Sequence, residues 1–234
     1  MTRWQDGPLV GYDCESTSAD PLTARPVSFA FVLHTPGELI KVDHQLVNPG
    51  IEIPSDATEI HGITNEMVAD AMPVDEAVRY CIGKIKRLSS EGFPIVTMNG
   101  SFDFTILDRQ ALRLGFEGLA DWSGPALDIF VIDRAVDKWR SGGRKLTDLV
   151  TTYGVTTPGD AHNAVWDATM SVMVLREMVK KFKAVRFRSV EELHALQVTW
   201  RHEQQVDLSE YLVKKEGREP FDPREFGWPI YGPD

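Results

Sequence analysis

Three strand-like runs precede the first helix, and that order limits the folds open to this 234-residue chain. Leu9-Val10-Gly11-Tyr12-Asp13-Cys14-Glu15 is followed by runs over 27–34 and 38–47, with Asp20-Pro21 and then Pro36-Gly37 between them. The Pro-Gly break predicts an antiparallel hairpin. Helices and strands then alternate. Helical patterns cover 55–61 and 74–88, the latter with Ala77, Val78, Cys81, Ile82, Ile85 and Leu88 in one stripe. A strand over 94–98 leads through Asn99-Gly100 into a helix over 102–114, and an apolar run over 126–131 reads as a further strand. A helical segment ending near Gly142-Gly143, a helix over 146–153, and a helix with Ala164, Ala168, Val172, Leu175, Val179 and Phe182 on one face complete the pattern. Early strands followed by such alternation indicate an α/β fold with a mixed sheet.

Ser189-Val190-Glu191-Glu192 forms a capping box that opens a long C-terminal helix reaching about Lys215, and an aromatic, proline-rich tail follows Gly217. We therefore expect two parts, residues 1–185 and a helix-plus-tail extension over 186–234. The tail either meets a partner or straps onto its own domain. The two cysteines, Cys14 and Cys81, lie in a strand and a helix and read as reduced core thiols. No apolar run is long enough to span a bilayer and no basic-then-apolar leader is present, so we expect a cytoplasmic protein with no membrane partner. A net charge of −10 argues against indiscriminate binding to polyanions, although carboxylates that hold cations contribute to that sum.

Side chains alternate across a strand, so Asp13 and Glu15 share a face while Tyr12 and Cys14 point the other way. Two carboxylates on one face of an apolar strand repel unless a cation lies between them, and hard divalent ions favour carboxylate oxygen. An isolated pair of this kind is more often two ordinary surface acids. Asp103 sits at a strand-to-helix junction, where ligands gather in open α/β sheets. Asp167 lies on a helix whose small residues Ala164 and Ala168 permit close approach to the sheet, and His162 falls in the loop before it.

Together these residues resemble the three ordered motifs of the DEDDh 3′-5′ exonucleases, over roughly residues 8–183. Asp13-Cys14-Glu15-Ser16-Thr17 is similar to D-x-E-x-T, Asn99-Gly100-Ser101-Phe102-Asp103 to N-x-x-F-D, and His162-Asn163-Ala164-Val165-Trp166-Asp167-Ala168 to H-x-A-x-x-D-A. The resemblance implies an RNase H-like fold and removal of nucleoside 5′-monophosphates from nucleic acid 3′ ends. It also implies two divalent ions, Mg²⁺ or Mn²⁺, held by Asp13, Glu15, Asp103 and Asp167, with His162 as proton acceptor.

Thr17, His61, Ile63, Asn99 and Phe102 are the corresponding substrate-contact candidates, and Phe104 offers a second aromatic face. Ser18 stands where many members carry glycine, a departure at the substrate end. Single-stranded DNA is the favoured substrate and a DNA polymerase a candidate partner. The alternatives are an RNA-trimming exoribonuclease and a non-catalytic module that binds nucleic acid ends or a polymerase. A basic run, Arg134, Lys138, Arg140, Arg144 and Lys145, reads either as a phosphate track or as a solvated helical face, since Asp133 and Asp137 interleave with it.

Overall fold

The computed structural model describes residues 3–156 and 163–232. In chain order the elements are β1 (Leu9–Ser16), β2 (Pro26–Thr35), β3 (Glu38–Asn48), α1 (Ser55–His61), α2 (Asn65–Val68), β4 (Met72–Pro73), α3 (Val74–Ser90) and β5 (Ile95–Thr97). There follow α4 (Gly100–Arg113), β6 (Ala126–Asp128), α5 (Ile129–Val136), α6 (Leu146–Thr152), α7 (Ala164–Lys181), α8 (Lys183–Arg186) and α9 (Val190–Glu216).

The strands form one mixed sheet in the order β4-β3-β2-β1-β5-β6. β2 pairs antiparallel with β1 and β3, while β5 runs parallel to β1 and β6. Gly37 takes a positive φ of 87° in the turn joining β2 to β3, as the Pro-Gly pair predicts. β1 thus lies inside the sheet, with neighbours on both sides. One face, carrying Tyr12, Cys14, Phe29 and Phe31, packs on the Ala77, Val78, Cys81, Ile82 and Ile85 stripe of α3 and on Phe104 of α4. The opposite face receives α7, through Ala164 and Ala168 against Ala30 and Val32. Both cysteines are free and buried, as expected.

Two expectations need correction. The apolar run over 126–131 is not one strand: β6 stops at Asp128, whose carboxylate accepts the N–H groups of Phe130 (2.9 Å) and Val131 (3.5 Å) and so starts α5. That helix ends at Val136, short of the Gly142-Gly143 break.

Helix α9 covers the outer edge of β6. Gln197 of α9 accepts the Asp128 N–H (2.6 Å) and donates to the Ala126 carbonyl (3.0 Å), so a side chain completes the ladder of an edge strand. The residues after α9 then fold back on α9 and α4. Trp228 is buried against His194, and the Tyr231 N–H donates to Thr105 Oγ1 at 2.9 Å. Arg109 binds the carbonyls of Tyr231 and Gly232. Among the described residues no helix is long and apolar enough to cross a membrane.

Candidate active site

β1 and β5 run parallel, so their C-terminal ends open on the same side of the sheet, where helices α4 and α7 begin. Gly11, Asp13 and Glu15 lie on the face turned to α7. The helix comes so close that a Cβ built on Gly11 would fall 2.2 Å from the Ala168 carbonyl oxygen. Asn163 caps α7 by accepting the Val165 N–H at 3.0 Å, and Asp167 stands in its first turn. Asp13, Glu15 and Asp167 are therefore brought together: an oxygen from each lies within 4.8 Å of the other two, and all three are half-buried.

Asp103 reaches the site from the other side of β1. The Cys14 N–H projects past the last paired residue of β5, and Asp103 Oδ1 accepts it at 3.1 Å. This buried carboxylate is tied to the backbone between Asp13 and Glu15 and stands apart from the group of three, while remaining electrostatically coupled to both neighbours. Burial, and next the charge of Asp103, raises the Asp13 carboxyl well above the usual range. Burial and then Asp167 push Glu15 up to about 7. Asp103 is raised by burial and by Glu15, against the pull of the Cys14 N–H. Crowded acids of this kind gain most from a divalent cation, which oxygen donors suit. His162 lies outside the described residues.

Asp128 holds the β5–α4 junction. It accepts the N–H groups of Asn99 (3.0 Å) and Gly100 (2.9 Å), fixing Asn99 at a positive φ of 60° just before the turn that carries Asp103. Pattern reading missed this role, although an aspartate closing a strand ahead of Ile129-Phe130-Val131 is a capping signal.

The substrate-contact candidates separate. Thr17 Oγ1 accepts the Arg25 N–H (3.0 Å) and closes a loop, and Ile63 is buried with Val27, Ile53, Ala57 and Val68. His61 ends α1, with Nδ1 accepting the Ile63 N–H (3.0 Å) and its ring near the Ser16 backbone at the end of β1. Burial lowers its pKa. Phe102 is half-exposed at the start of α4, whereas Phe104 is core, stacked on Tyr12 and tilted against Trp122.

Residues 10–175 match the family model described as RNase_T, Exonuclease. The chain belongs to that exonuclease family. The resemblance to the DEDDh 3′-5′ exonuclease family is borne out by this match. Among curated relatives, it is 31% identical over 180 residues to a DNA polymerase III subunit epsilon-like protein of Rhodobacter capsulatus, covering 75% of this chain and 24% of that protein. It is 26% identical over 198 residues to DNA polymerase III PolC-type of Thermotoga petrophila, covering 85% of this chain and 14% of the relative. The chain thus spans about a quarter or less of these relatives.

Among solved structures, E. coli exonuclease I in complex with a dA16 oligonucleotide superposes with a TM-score of 0.63 at 16% identity, over 76% of this chain and 42% of that one. Exonuclease X in complex with 5′-overhanging duplex DNA gives 0.55 at 22% identity, over 78% and 99%. These likenesses show a shared fold, the RNase H-like mixed sheet flanked by helices that the motifs implied.

Proposed function

We propose that this chain is a metal-dependent 3′-5′ exonuclease that releases nucleoside 5′-monophosphates, with DNA as its favoured substrate. The observation that carries the reading is the group of three carboxylates within 4.8 Å of one another, two at the end of an interior strand and one in the first turn of α7. Asp13, Glu15 and Asp167, with Asp103 beside them, would hold two divalent ions, Mg²⁺ or Mn²⁺. Such ions, when bound, polarise the scissile phosphate and acidify the attacking water. Raised carboxyl pKa values at Asp13 and Glu15 support the same assignment, because each acid is poorly stabilised as an anion until a cation neutralises it.

We assign proton acceptance to His162 on motif order alone. Asn99 and Phe102, which precede the fourth acid, would meet the terminal nucleotide together with His61, whose ring lies near the Ser16 backbone. Residues 1–185 would form the exonuclease domain and 186–234 its extension. The names of the relatives support DNA over RNA, and make a DNA polymerase the candidate partner.

Incubating the protein and Mn²⁺ with a 5′-labelled single strand tests this. Successively shorter labelled products and free nucleoside 5′-monophosphates are expected, lost with EDTA or Asp13→Ala. Early release of the labelled 5′ nucleotide, or an intact strand, would overturn the reading. Matched RNA oligonucleotides decide substrate preference.

A further inference from the structure

A groove of about 540 Å³ opens beside Asn99 and runs between α5 and the C-terminal extension. Asn99, which lines it, stands one helical turn before Asp103, and its carbonyl accepts the Phe102 N–H at 2.9 Å. Phe130 of the domain and Phe221 of the tail wall it, and Arg134, Arg144, Lys145 and Arg201 give it a cationic lining with Glu225 as its single acid.

The basic run divides by partner. Asp133 takes both Arg140 and Arg144, and Lys138 reaches Asp207. Those three are accounted for by the domain's own structure. Among the described residues, the Arg134 and Lys145 side chains have no ion pair or hydrogen bond, and Arg134 rests on the Phe130 ring with its guanidinium 5.5 Å from the centroid. Burial and then the nearby Arg144 and Arg201 lower the Arg134 pKa, while the more distant charge of Asp207 draws it back up without an ion pair. Arg201 is 4% exposed, lies near Asp128 and bonds the Tyr231 side chain, while its Nε has no hydrogen-bond partner among the described residues. A buried guanidinium with an unused donor, beside two cations that make no ion pair or hydrogen bond among the described residues and two aromatic walls, matches a phosphodiester strand, in which anionic groups alternate with stackable bases.

We propose that this groove binds the backbone of a single nucleic acid strand just upstream of its 3′ end, with Arg134 and Lys145 on phosphates and α9 and the tail as the far wall. This rests on the exonuclease reading for the strand's polarity, though not for binding itself. The extension then has a role in substrate grip beyond covering β6.

The test compares wild type with Arg134→Gln/Lys145→Gln, and with exposed Lys145→Gln alone in case Arg134 supports folding. Binding of a fluorescent single-stranded octanucleotide is read by anisotropy in Ca²⁺ across a salt series. With about 0.7 of salt slope for each phosphate contact on a single strand, the double variant should lose about 1.4 from the slope and bind about tenfold more weakly at 100 mM salt. The charge-matched control Lys180→Gln/Lys183→Gln, remote from the groove, should bind as wild type. A dinucleotide, too short to enter the groove, should show a much smaller loss than the octanucleotide.

Unchanged slope and affinity in both groove variants would overturn the proposal even if the protein degrades DNA, as would no wild-type binding or an equal loss for the dinucleotide. Conversely, the expected slope change in a protein that cleaves nothing would sustain the groove and sink the exonuclease reading.

Discussion

Gly11→Ala is the substitution that most directly tests how the fold builds the site. The added methyl carbon would meet the Ala168 carbonyl oxygen at 2.2 Å, the Ala168 carbonyl carbon at 2.8 Å and Val172 Cγ2 at 3.1 Å. The first two are backbone atoms, so no rotamer change relieves the clash. Restoring ordinary contact requires α7 to retreat by about 1 Å. Overpacking of this kind costs about 1–3 kcal/mol, lowering the melting temperature by about 6 °C for a chain of this size.

Asp167 is the residue before Ala168 and moves with it, away from Asp13 and Glu15 on the strand. A misplacement of about 1 Å in a catalytic constellation costs on the order of 100-fold in rate. Thermal melts with and without Mn²⁺, beside mononucleotide release from a labelled strand, read both effects. The Mn²⁺-induced rise in melting temperature should shrink along with turnover. A variant that melts within about 1 °C of wild type and keeps its rate would refute the claim that glycine at this position sets the helix-to-sheet distance.

Gly83→Ala is the matching control: its methyl would meet nothing within 4 Å on α3, so chemical denaturation should show a gain of about 0.5–1 kcal/mol from helix propensity. Asp133→Ala should cost about 3–5 kcal/mol in the same measurement, because it strands Arg140 and Arg144 and removes the acceptor for the Tyr153 hydroxyl at 2.5 Å. The metal-free protein should lose stability as pH rises. Glu15 moves from 4.5 to about 7 on folding, so the folded state holds a proton that the unfolded state releases. Its penalty is absent below about pH 4.5, grows through pH 7, and reaches up to about 3 kcal/mol at pH 8. Urea melts at pH 5 and pH 8 should show this fall in wild type, a smaller one in Glu15→Gln, and recovery with Mn²⁺ in wild type only. A pH-independent midpoint in metal-free wild type would contradict the electrostatic account.

What could be read from the chain and what could not divides on physical grounds. Strand alternation put Asp13 and Glu15 on one face from spacing alone, and the paired alanines of α7 announced a close approach. Gly11, the other half of that contact, carried no mark, because a glycine inside a strand does not say which backbone lies above it. The apolar run at 126–131 looked like one strand because hydrophobicity continues across the junction; only the hydrogen bonds of Asp128 show where strand yields to helix. The long C-terminal helix was legible from its cap, but its contacts were not. Its buried positions include Gln197, Arg201, Gln204, Gln205 and Ser209, polar residues that hydrophobic periodicity passes over. In the basic run, charge alone could not separate the arginines that Asp133 takes from Arg134 and Lys145.

The site collects its acids from three elements that meet only in the folded chain, and each attachment resists the repulsion among them differently. Asp13 and Glu15 are fixed by an interior strand paired on both sides. Asp103 is held by a backbone N–H that β5, ending at Thr97, leaves free. Asp167 is pressed inward by a helix that cannot move closer without striking Gly11. Glycine and alanine at that contact are therefore part of the electrostatics as well as the packing. They let α7 approach closely enough for a third carboxylate to join the first two, and the rest of the core supplies the stability that holds the three together. A fold under selection for stability alone would lose such a group through a single Asp-to-Asn exchange. That it stands at the end of an interior strand, with Asn99 and the cationic groove beside it, is the arrangement expected of a site shaped by what it binds.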